Sequence, residues 1–179
     1  MTLPTDYYQV FGIEPKLALD LNELQRQFYS LSRQFHPDRF ARASAAEQAY
    51  ALEFTSLLND AWRTFRDPVA RAEYLLKRDG FNISEQRSKD VPPELLEEVF
   101  ELNMALEEAK MGDNEAKETI RSASARFESM LSELDQERDR LFVQYDEYRS
   151  REILLALRTL LNRRRYLENL VRDAQIALA

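Results

Sequence analysis

The chain has 179 residues and a formal net charge of −7, and it contains no cysteine, one histidine and three glycines. These counts exclude disulfides, zinc–thiolate centres and metal sites built on two imidazoles, and they leave too few glycines for a phosphate-binding loop. The negative charge disfavours nucleic-acid binding, which depends on neutralising phosphates. No stretch approaches the roughly 20 apolar residues that span a bilayer, and the N-terminus lacks a signal-peptide pattern. We therefore expect a cytoplasmic protein that binds neither nucleic acid nor membrane.

Four helices are predicted within residues 1–80, which we assign to a first domain. Gly12 and Gly80 favour helix termination, and Pro37 disfavours helical geometry at the residue before it. In the second helix apolar residues recur at spacings of three and four, which predicts one buried face. The helices begin near Asp6, Asp20, Ala43 and Pro68 and end near Gly12, Pro37, Phe65 and Gly80. The expected core includes Leu21, Leu24, Phe28, Leu31 and Phe35 of the second helix and Leu52, Leu58, Trp62 and Phe65 of the third.

Three longer helices are predicted in residues 93–179, the second domain. Residues 81–92 lack a helical period and are assigned to a linker. The first of the three helices runs from about Glu94 to Met111, and a weak break near residues 145–150 separates the other two. Each helix has an apolar stripe, and the connections between them are short, which fits an antiparallel three-helix bundle. The predicted fold class is all-α, with a four-helix N-terminal domain built on an antiparallel hairpin and a C-terminal antiparallel three-helix bundle.

The turn between the second and third helices has the sequence His36-Pro37-Asp38. It is either a helix terminator that happens to contain a histidine, or a recognition tip that projects two polar side chains from a rigid helix pair. Catalysis is disfavoured, because one histidine beside one carboxylate lacks a nucleophile or a second ligand. Arg26 and Arg33 lie seven residues apart on one helix face and lead toward the turn. This arrangement favours recognition.

Three motifs, in this order within the first 75 residues, make the N-terminal half resemble a J-domain. Asp6-Tyr7-Tyr8-Gln9-Val10-Phe11-Gly12-Ile13 is followed by Phe35-His36-Pro37-Asp38-Arg39-Phe40 and by Asn59-Asp60-Ala61-Trp62-Arg63-Thr64-Phe65-Arg66-Asp67-Pro68. The continuation Arg71-Ala72-Glu73-Tyr74-Leu75-Leu76 is more similar to the HscB branch than to general DnaJ proteins. The stretch Leu95-Leu96-Glu97-Glu98-Val99-Phe100-Glu101-Leu102-Asn103 is similar to the scaffold-binding domain of HscB.

The resemblance implies that the chain docks on a DnaK-class chaperone and stimulates its ATP hydrolysis, and that the His-Pro-Asp loop is essential for this. An HscA-like ATPase is the implied partner. The family often has lysines on the docking face, where this chain has arginines, and the fork geometry of arginine differs from a point charge. The residues assigned to chaperone binding are His36, Pro37, Asp38, Arg26, Arg33 and Arg39.

The first helix of the C-terminal domain carries two apolar stripes. Its core stripe is Leu95, Val99, Leu102, Leu106 and Ala109, whereas Leu96, Phe100 and Met104 lie on the flank and far side among glutamates. Another helix, or the J-domain, covers this second stripe, or else the stripe is an exposed partner site rimmed by carboxylates. In HscB the matching surface binds the iron–sulfur scaffold protein IscU. The residues assigned to scaffold binding are Leu96, Phe100, Met104, Glu97, Glu101, Glu108 and Tyr166.

The predicted function is a co-chaperone of the HscB type, which delivers an IscU-like scaffold to an HscA-like ATPase during iron–sulfur cluster assembly and transfer. We predict no catalytic residue, no metal site and no cofactor. One alternative is a general J-protein that delivers unfolded polypeptides, and another is a carboxylate–metal hydrolase, for which no acidic pair converges with a base. Arg163-Arg164-Arg165 is interpreted as a solvated helix face, since consecutive helix residues point in different directions. Mitochondrial members of the family that the chain resembles often carry an N-terminal cysteine-bearing extension, and its lack here favours a bacterial cytoplasm.

Overall fold

A computed structural model of the protein describes residues 2–82 and 93–179. The described residues contain seven α-helices and no β-strand, so the predicted all-α fold class is confirmed. The chain divides into two compact units. The first unit comprises Met1–Phe81 with Tyr145–Glu147, and the second comprises Asn82–Gln144 with Tyr148–Ala179. Most of the predicted linker, residues 83–92, lies outside the described residues.

Side-chain caps set the helix boundaries of the first unit. The Asp20 carboxylate accepts hydrogen bonds from the backbone N–H groups of Asn22 and Glu23, and Asp67 does the same for Val69 and Ala70. Such caps satisfy N–H groups that have no partner within the helix. The helices are α1 (Tyr7–Phe11), α2 (Leu21–Gln34), α3 (Ala45–Arg66) and α4 (Pro68–Arg78), and a 3₁₀ turn spans Pro37–Phe40 between α2 and α3.

Phe65 of α3 lies at the centre of the aromatic core of the first unit. Its ring centroid is 4.7 Å from that of Tyr8 and 5.9 Å from those of Phe11 and Tyr74. The Tyr8 hydroxyl donates to the Lys16 carbonyl at 3.2 Å, and burial raises the pKa of that phenol. Pairs of aromatic rings add to the stabilisation that burial of their area provides. The Tyr-Tyr pair after Asp6 therefore has a structural role.

The predictions that Leu52 and Leu21 lie in the core are wrong. The Leu52 side chain is 63% exposed, and Leu21, the first residue of α2, is 39% exposed. The residues of α3 that are buried follow a different stripe, with spacings of three and four: Ala51, Phe54, Leu58, Ala61 and Phe65. Leu52 lies about 120° around the helix from Leu58, because each residue turns the helix by about 100°. Trp62 is half-buried at the edge of this stripe, and its ring stacks on Phe28 with centroids 5.3 Å apart.

One hydrophobic core joins the three helices of the second unit, α5 (Leu96–Lys110), α6 (Asn114–Tyr148) and α7 (Arg151–Leu178). Leu102 of α5, Phe127 of α6 and Leu167 of α7 are fully buried in it. The sequence places the start of α5 near Glu94, but Pro93–Leu95 form a 3₁₀ turn and the α-helix begins at Leu96. The helices α6 and α7 separate at Arg149, which has a left-handed φ of 52°, and Ser150 caps α7 through the Glu152 N–H.

The interpretation of the three consecutive arginines as a solvated helix face is wrong for Arg164. Its Nε donates to Asp135 of α6 at 2.8 Å, and its Nη1 donates to Glu168 one turn further along α7. Asp135 also accepts from Arg138, whose side chain is buried. Arg164 is therefore part of an ion-pair network between α6 and α7. Neighbouring arginines of a helix point in different directions, and the direction of Arg164 meets a carboxylate.

Candidate functional site

The turn that contains His36 is fixed to the helix pair on either side of it. The Thr55 hydroxyl of α3 donates to the Phe35 carbonyl at 3.1 Å, and the Phe35 and Phe54 rings lie 4.3 Å apart. The ring contact between Phe28 and Trp62 joins the same two helices nearer their other ends. Because lower numbers on α2 meet higher numbers on α3, the two helices form an antiparallel hairpin. The His-Pro-Asp turn lies at the end of this hairpin.

His36 is the N-cap of the 3₁₀ turn, and Pro37 is its first residue. The imidazole Nδ1 lies 3.3 Å from the Asp38 backbone nitrogen and 3.6 Å from the Asp38 carboxylate. In the neutral tautomer with the proton on Nε2, Nδ1 accepts from the Asp38 N–H. In the imidazolium form, the positively charged ring forms an ion pair with the carboxylate. The side chains are 56% and 91% exposed, so both are available to a partner.

Two arginines extend the turn into a basic surface. The Nε of Arg33 donates to the Tyr29 carbonyl, and the Nη1 of Arg39 donates to the Arg33 carbonyl, both at 3.4 Å. Arg39 therefore lies over the C-terminal end of α2, where unpaired carbonyls favour a cation. Arg26 is exposed on α2, and seven residues separate it from Arg33, so the two share a helix face. The structure thus brings His36, Asp38, Arg33 and Arg39 together at one end of the hairpin.

Tyr29 was missed by the sequence prediction. Its side chain is 55% exposed and lines a groove with Ser32, Arg33, His36 and Arg39. A signal was present, because Tyr29 lies three residues after Arg26 and four before Arg33, which places it on the arginine face of α2. It stands outside the apolar series of that helix, so a search for the core does not find it.

The second apolar stripe of α5 is exposed. Leu96, Phe100 and Met104 are 55%, 64% and 49% exposed, whereas Leu95 and Leu102 are buried in the core. Steps of four residues turn the helix by about 40°, so the three exposed side chains form one continuous row, which we call the α5 row. One alternative required another helix to cover this row. In the described part of the chain, no other helix covers it. Exposed glutamates accompany it at Glu97, Glu101 and Glu108.

Two residues change the outline of the predicted scaffold surface. Tyr166 of α7 is half-buried and packs against the core of the second unit, and burial raises the pKa of its hydroxyl. Unlike Phe100, it is not a freely exposed aromatic side chain. Met111, the C-cap of α5, is 85% exposed. Helical spacing places Met111 about 60° from Leu96, near the α5 row, although the sequence prediction used it only to end the helix.

The described residues contain no group of three or more His, Cys, Asp or Glu side chains that could hold a metal ion. Within the same part of the chain, no helix is both long and apolar enough to cross a membrane.

A helical domain with an exposed His-Pro-Asp turn at the end of an antiparallel hairpin is the architecture of a J-domain protein. Residues 6–74 match the family described as the DnaJ domain, and residues 91–175 match the HSCB C-terminal oligomerisation domain. Together the two matches span most of the chain.

Two solved structures match nearly the whole chain. Chaperone HscB from Vibrio cholerae is 27% identical, with a TM-score of 0.70 and coverage of 96% of both chains. The human co-chaperone protein HscB is 25% identical, with a TM-score of 0.70, and the match covers 97% of this chain and 82% of the human chain. The chain belongs to the HscB-type J-domain co-chaperones. This family acts with DnaK-class chaperones in iron–sulfur cluster biogenesis.

Proposed function

We propose that this chain stimulates ATP hydrolysis by an HscA-like chaperone and delivers an IscU-like scaffold protein to it. The proposal assigns residues 1–80 to the J-domain, 81–92 to a linker and 93–179 to the scaffold-binding domain. The observation that carries it is the presence of two exposed surfaces on one chain, the His-Pro-Asp turn and the α5 row. A chain that binds the ATPase with one surface and the scaffold with the other raises their effective concentration toward each other.

At the chaperone end, His36, Pro37 and Asp38 form the contact tip, and Arg26, Arg33 and Arg39 form a basic surface beside it. Exposed guanidinium groups attract an acidic partner over a distance, and they make two-pronged hydrogen bonds to carboxylates at contact. In this proposal the hydrolysis occurs entirely within the chaperone. The chain itself is not an enzyme, and the turn acts through its fixed shape and charge.

At the scaffold end, Leu96, Phe100 and Met104 are the apolar contact residues, and Tyr166 adds a half-buried aromatic edge. A few large apolar side chains commonly supply most of the affinity of an interface. The exposed carboxylates of Glu97, Glu101 and Glu108 then orient a basic patch of the scaffold, because opposite charges around the rim favour one docking geometry. This combination fits a folded partner with a complementary surface.

Two measurements test the proposal. We expect the full chain to raise steady-state ATP hydrolysis by the cognate DnaK-class chaperone, with a further increase when the scaffold is present. We expect titration calorimetry to show binding of the folded scaffold and none of a reduced, unfolded polypeptide. Equal binding of both would instead support a general J-protein, and absence of ATPase stimulation would contradict the J-domain function.

The bacterial cytoplasm is the proposed location. The bacterial source of the Vibrio cholerae relative supports it. Fractionation of the source cells followed by immunodetection of the chain tests this location directly.

A further inference from the structure

Two exposed thioether groups lie on or beside the α5 row. The sequence has no cysteine, so its four methionines hold all of its sulfur atoms. Met104 belongs to the row and is 49% exposed, and Met111, the C-cap of α5, is 85% exposed. Met130 of α6 is instead partly buried against the core of the second unit. The sulfur atoms that solvent reaches most easily are therefore at the proposed scaffold surface.

Met104 and Met111 leave α5 on nearly the same side. Seven residues turn a helix by about 20° less than two full turns and advance it by about 10 Å. Met111 therefore continues the line that Phe100 and Met104 begin. The thioether of methionine is apolar and flexible, and it adapts to the surface of a partner. A methionine sulfoxide is polar and has a different shape, and its formation disrupts methionine-rich interfaces.

We propose that Met104 and Met111 are a redox-sensitive modification site, at which oxidation to methionine sulfoxide weakens binding of the scaffold and reduction restores it. The oxidant is hydrogen peroxide. A lone pair of the thioether sulfur forms the new S–O bond, the O–O bond of the peroxide breaks, and the second oxygen leaves as water. The sulfur is oxidised by two electrons and the peroxide is reduced. This inference rests on the proposed function and adds regulation to its scaffold end.

The loss of affinity follows from the polarity of the sulfoxide group. Its oxygen accepts hydrogen bonds from water in the free chain, and an apolar contact with the scaffold removes this water. Burial of a polar group without a hydrogen bond is unfavourable. Met104 lies within the α5 row, one turn after Phe100, so its oxidation has the larger effect. Met111 is the more exposed thioether and should be oxidised earlier.

Oxidation of these methionines affects one end of the proposed co-chaperone. Residues 2–82 contain no methionine, so the His-Pro-Asp turn lies in a domain with no thioether among these residues. The oxidised chain should therefore still stimulate the chaperone ATPase in the absence of scaffold. The further increase that the scaffold produces should be lost. Peroxide thus separates stimulation of the ATPase from delivery of the scaffold.

The experiment treats the full chain with hydrogen peroxide, removes the peroxide, and then titrates the chain against untreated scaffold by calorimetry. Trypsin cleaves after Lys110 and Arg126, so Met104, Met111 and Met130 fall on three different peptides. Mass spectrometry of these peptides reports which thioether has gained an oxygen atom. We expect sulfoxide at Met104 and Met111 before Met130.

We expect the oxidised wild type to lose about tenfold in affinity for the scaffold, and methionine sulfoxide reductases to restore it. The double variant Met104→Leu with Met111→Leu keeps side chains of similar volume and polarity but has no thioether at either position. Its affinity should stay within about twofold of the untreated wild type before and after peroxide. Met130→Leu is the matched control and should lose as much affinity as the wild type when oxidised.

An oxidised wild type that carries both sulfoxides and binds the scaffold as tightly as the untreated chain overturns the inference and leaves the proposed function intact. Absence of sulfoxide at both positions overturns it as well. An equal loss in the double leucine variant shows that peroxide acts elsewhere, and a loss that the reductases do not reverse shows damage; each result contradicts the inference. If the untreated wild type does not bind the scaffold, the proposed function fails, and the inference fails with it.

Discussion

The imidazole of His36 contacts Asp38 within its own turn and is more than half exposed. Replacing it by glutamine (H36Q) should change the free energy of unfolding by no more than about 0.5 kcal/mol, as is usual for surface positions. We expect the same variant to lose stimulation of the chaperone ATPase, because the tip loses the ring that a partner contacts. Thermal unfolding and steady-state ATP hydrolysis, measured on one preparation, check both statements.

A matched control for H36Q is Glu53→Gln, which changes an exposed residue of α3 outside the turn and the groove. This control should keep both the melting temperature and the stimulation of the wild type. Full stimulation by H36Q would remove the recognition role of the turn and leave only its role in ending α2.

Glu47 gives a pH-dependent prediction. Its carboxylate accepts from the Ser44 hydroxyl at 2.6 Å and from the Ser44 backbone N–H at 2.9 Å, and these bonds lower the pKa of Glu47 below its ordinary value of 4.5. A carboxyl group with a lower pKa when folded contributes stability that is fully present above the unfolded pKa and lost as the pH falls through the folded one. We expect Ser44→Ala to raise the pKa of Glu47 toward 4.5, as followed by NMR of its carboxyl carbon. An unchanged pKa would show that the Ser44 hydroxyl is not the cause.

Among the elements, α6 and α7 share an ion-pair network that is centred on one carboxylate. Asp135 accepts from both Arg138 and Arg164, and the side chains of these arginines are only 8% and 16% exposed. Asp135→Ala leaves two shielded guanidinium groups without this partner, so we expect a loss of about 3 kcal/mol in the stability of the second unit. Glu168→Ala, which removes a more exposed partner of Arg164, should cost less than about 1 kcal/mol. Chemical denaturation of both variants measures the difference, and equal losses would contradict the role given to Asp135.

The helix ends could be predicted because the signals that set them are local. Asp6, Asp20 and Asp67 cap helices that the sequence predicts to begin near these positions, and Gly12 adopts the left-handed conformation that ends α1. The core residues of α3 were harder to predict from the sequence, because Leu52 and Ala51 are adjacent and hydrophobicity alone favours the larger residue. In the structure the smaller residue faces inward, in register with Phe54 and Leu58.

In the candidate sites too, features that depend on one helix could be predicted from the sequence, and features that depend on contacts between elements could not. Periodicity separated the exposed residues Leu96, Phe100 and Met104 from the core of α5, since the phase of one helix determines both stripes. The binding roles of these residues stay predictions. The pairing of Arg164 was not foreseen, because it depends on the carboxylate that α6 places beside its side chain. Such neighbours are not readable from a helix period.

On the scale of the whole molecule, mutations in one surface should leave the function of the other surface intact. The double variant Leu96→Ala with Phe100→Ala removes exposed side chains, so it should destabilise the second unit far less than Leu102→Ala, a buried truncation expected to cost about 2–5 kcal/mol. We expect the double variant to lose at least about tenfold in affinity for the scaffold while it still stimulates the ATPase without scaffold. Calorimetry against the scaffold and thermal unfolding are the measurements. Unchanged affinity would remove the proposed scaffold site, and a collapse of the melting temperature would show that the α5 row is structural.

The stacking of Trp62 on Phe28 has a consequence for how unfolding of this protein is observed. Trp62 is the single tryptophan of the sequence, and both rings belong to the first unit. Tryptophan fluorescence therefore follows the melting of the J-domain, whereas far-ultraviolet circular dichroism follows the helices of both units. A chain that unfolds in one cooperative step gives coincident curves with the two probes, and separate melting of the units displaces them. The chain thus carries an intrinsic reporter for the order in which its two units unfold, with no label added.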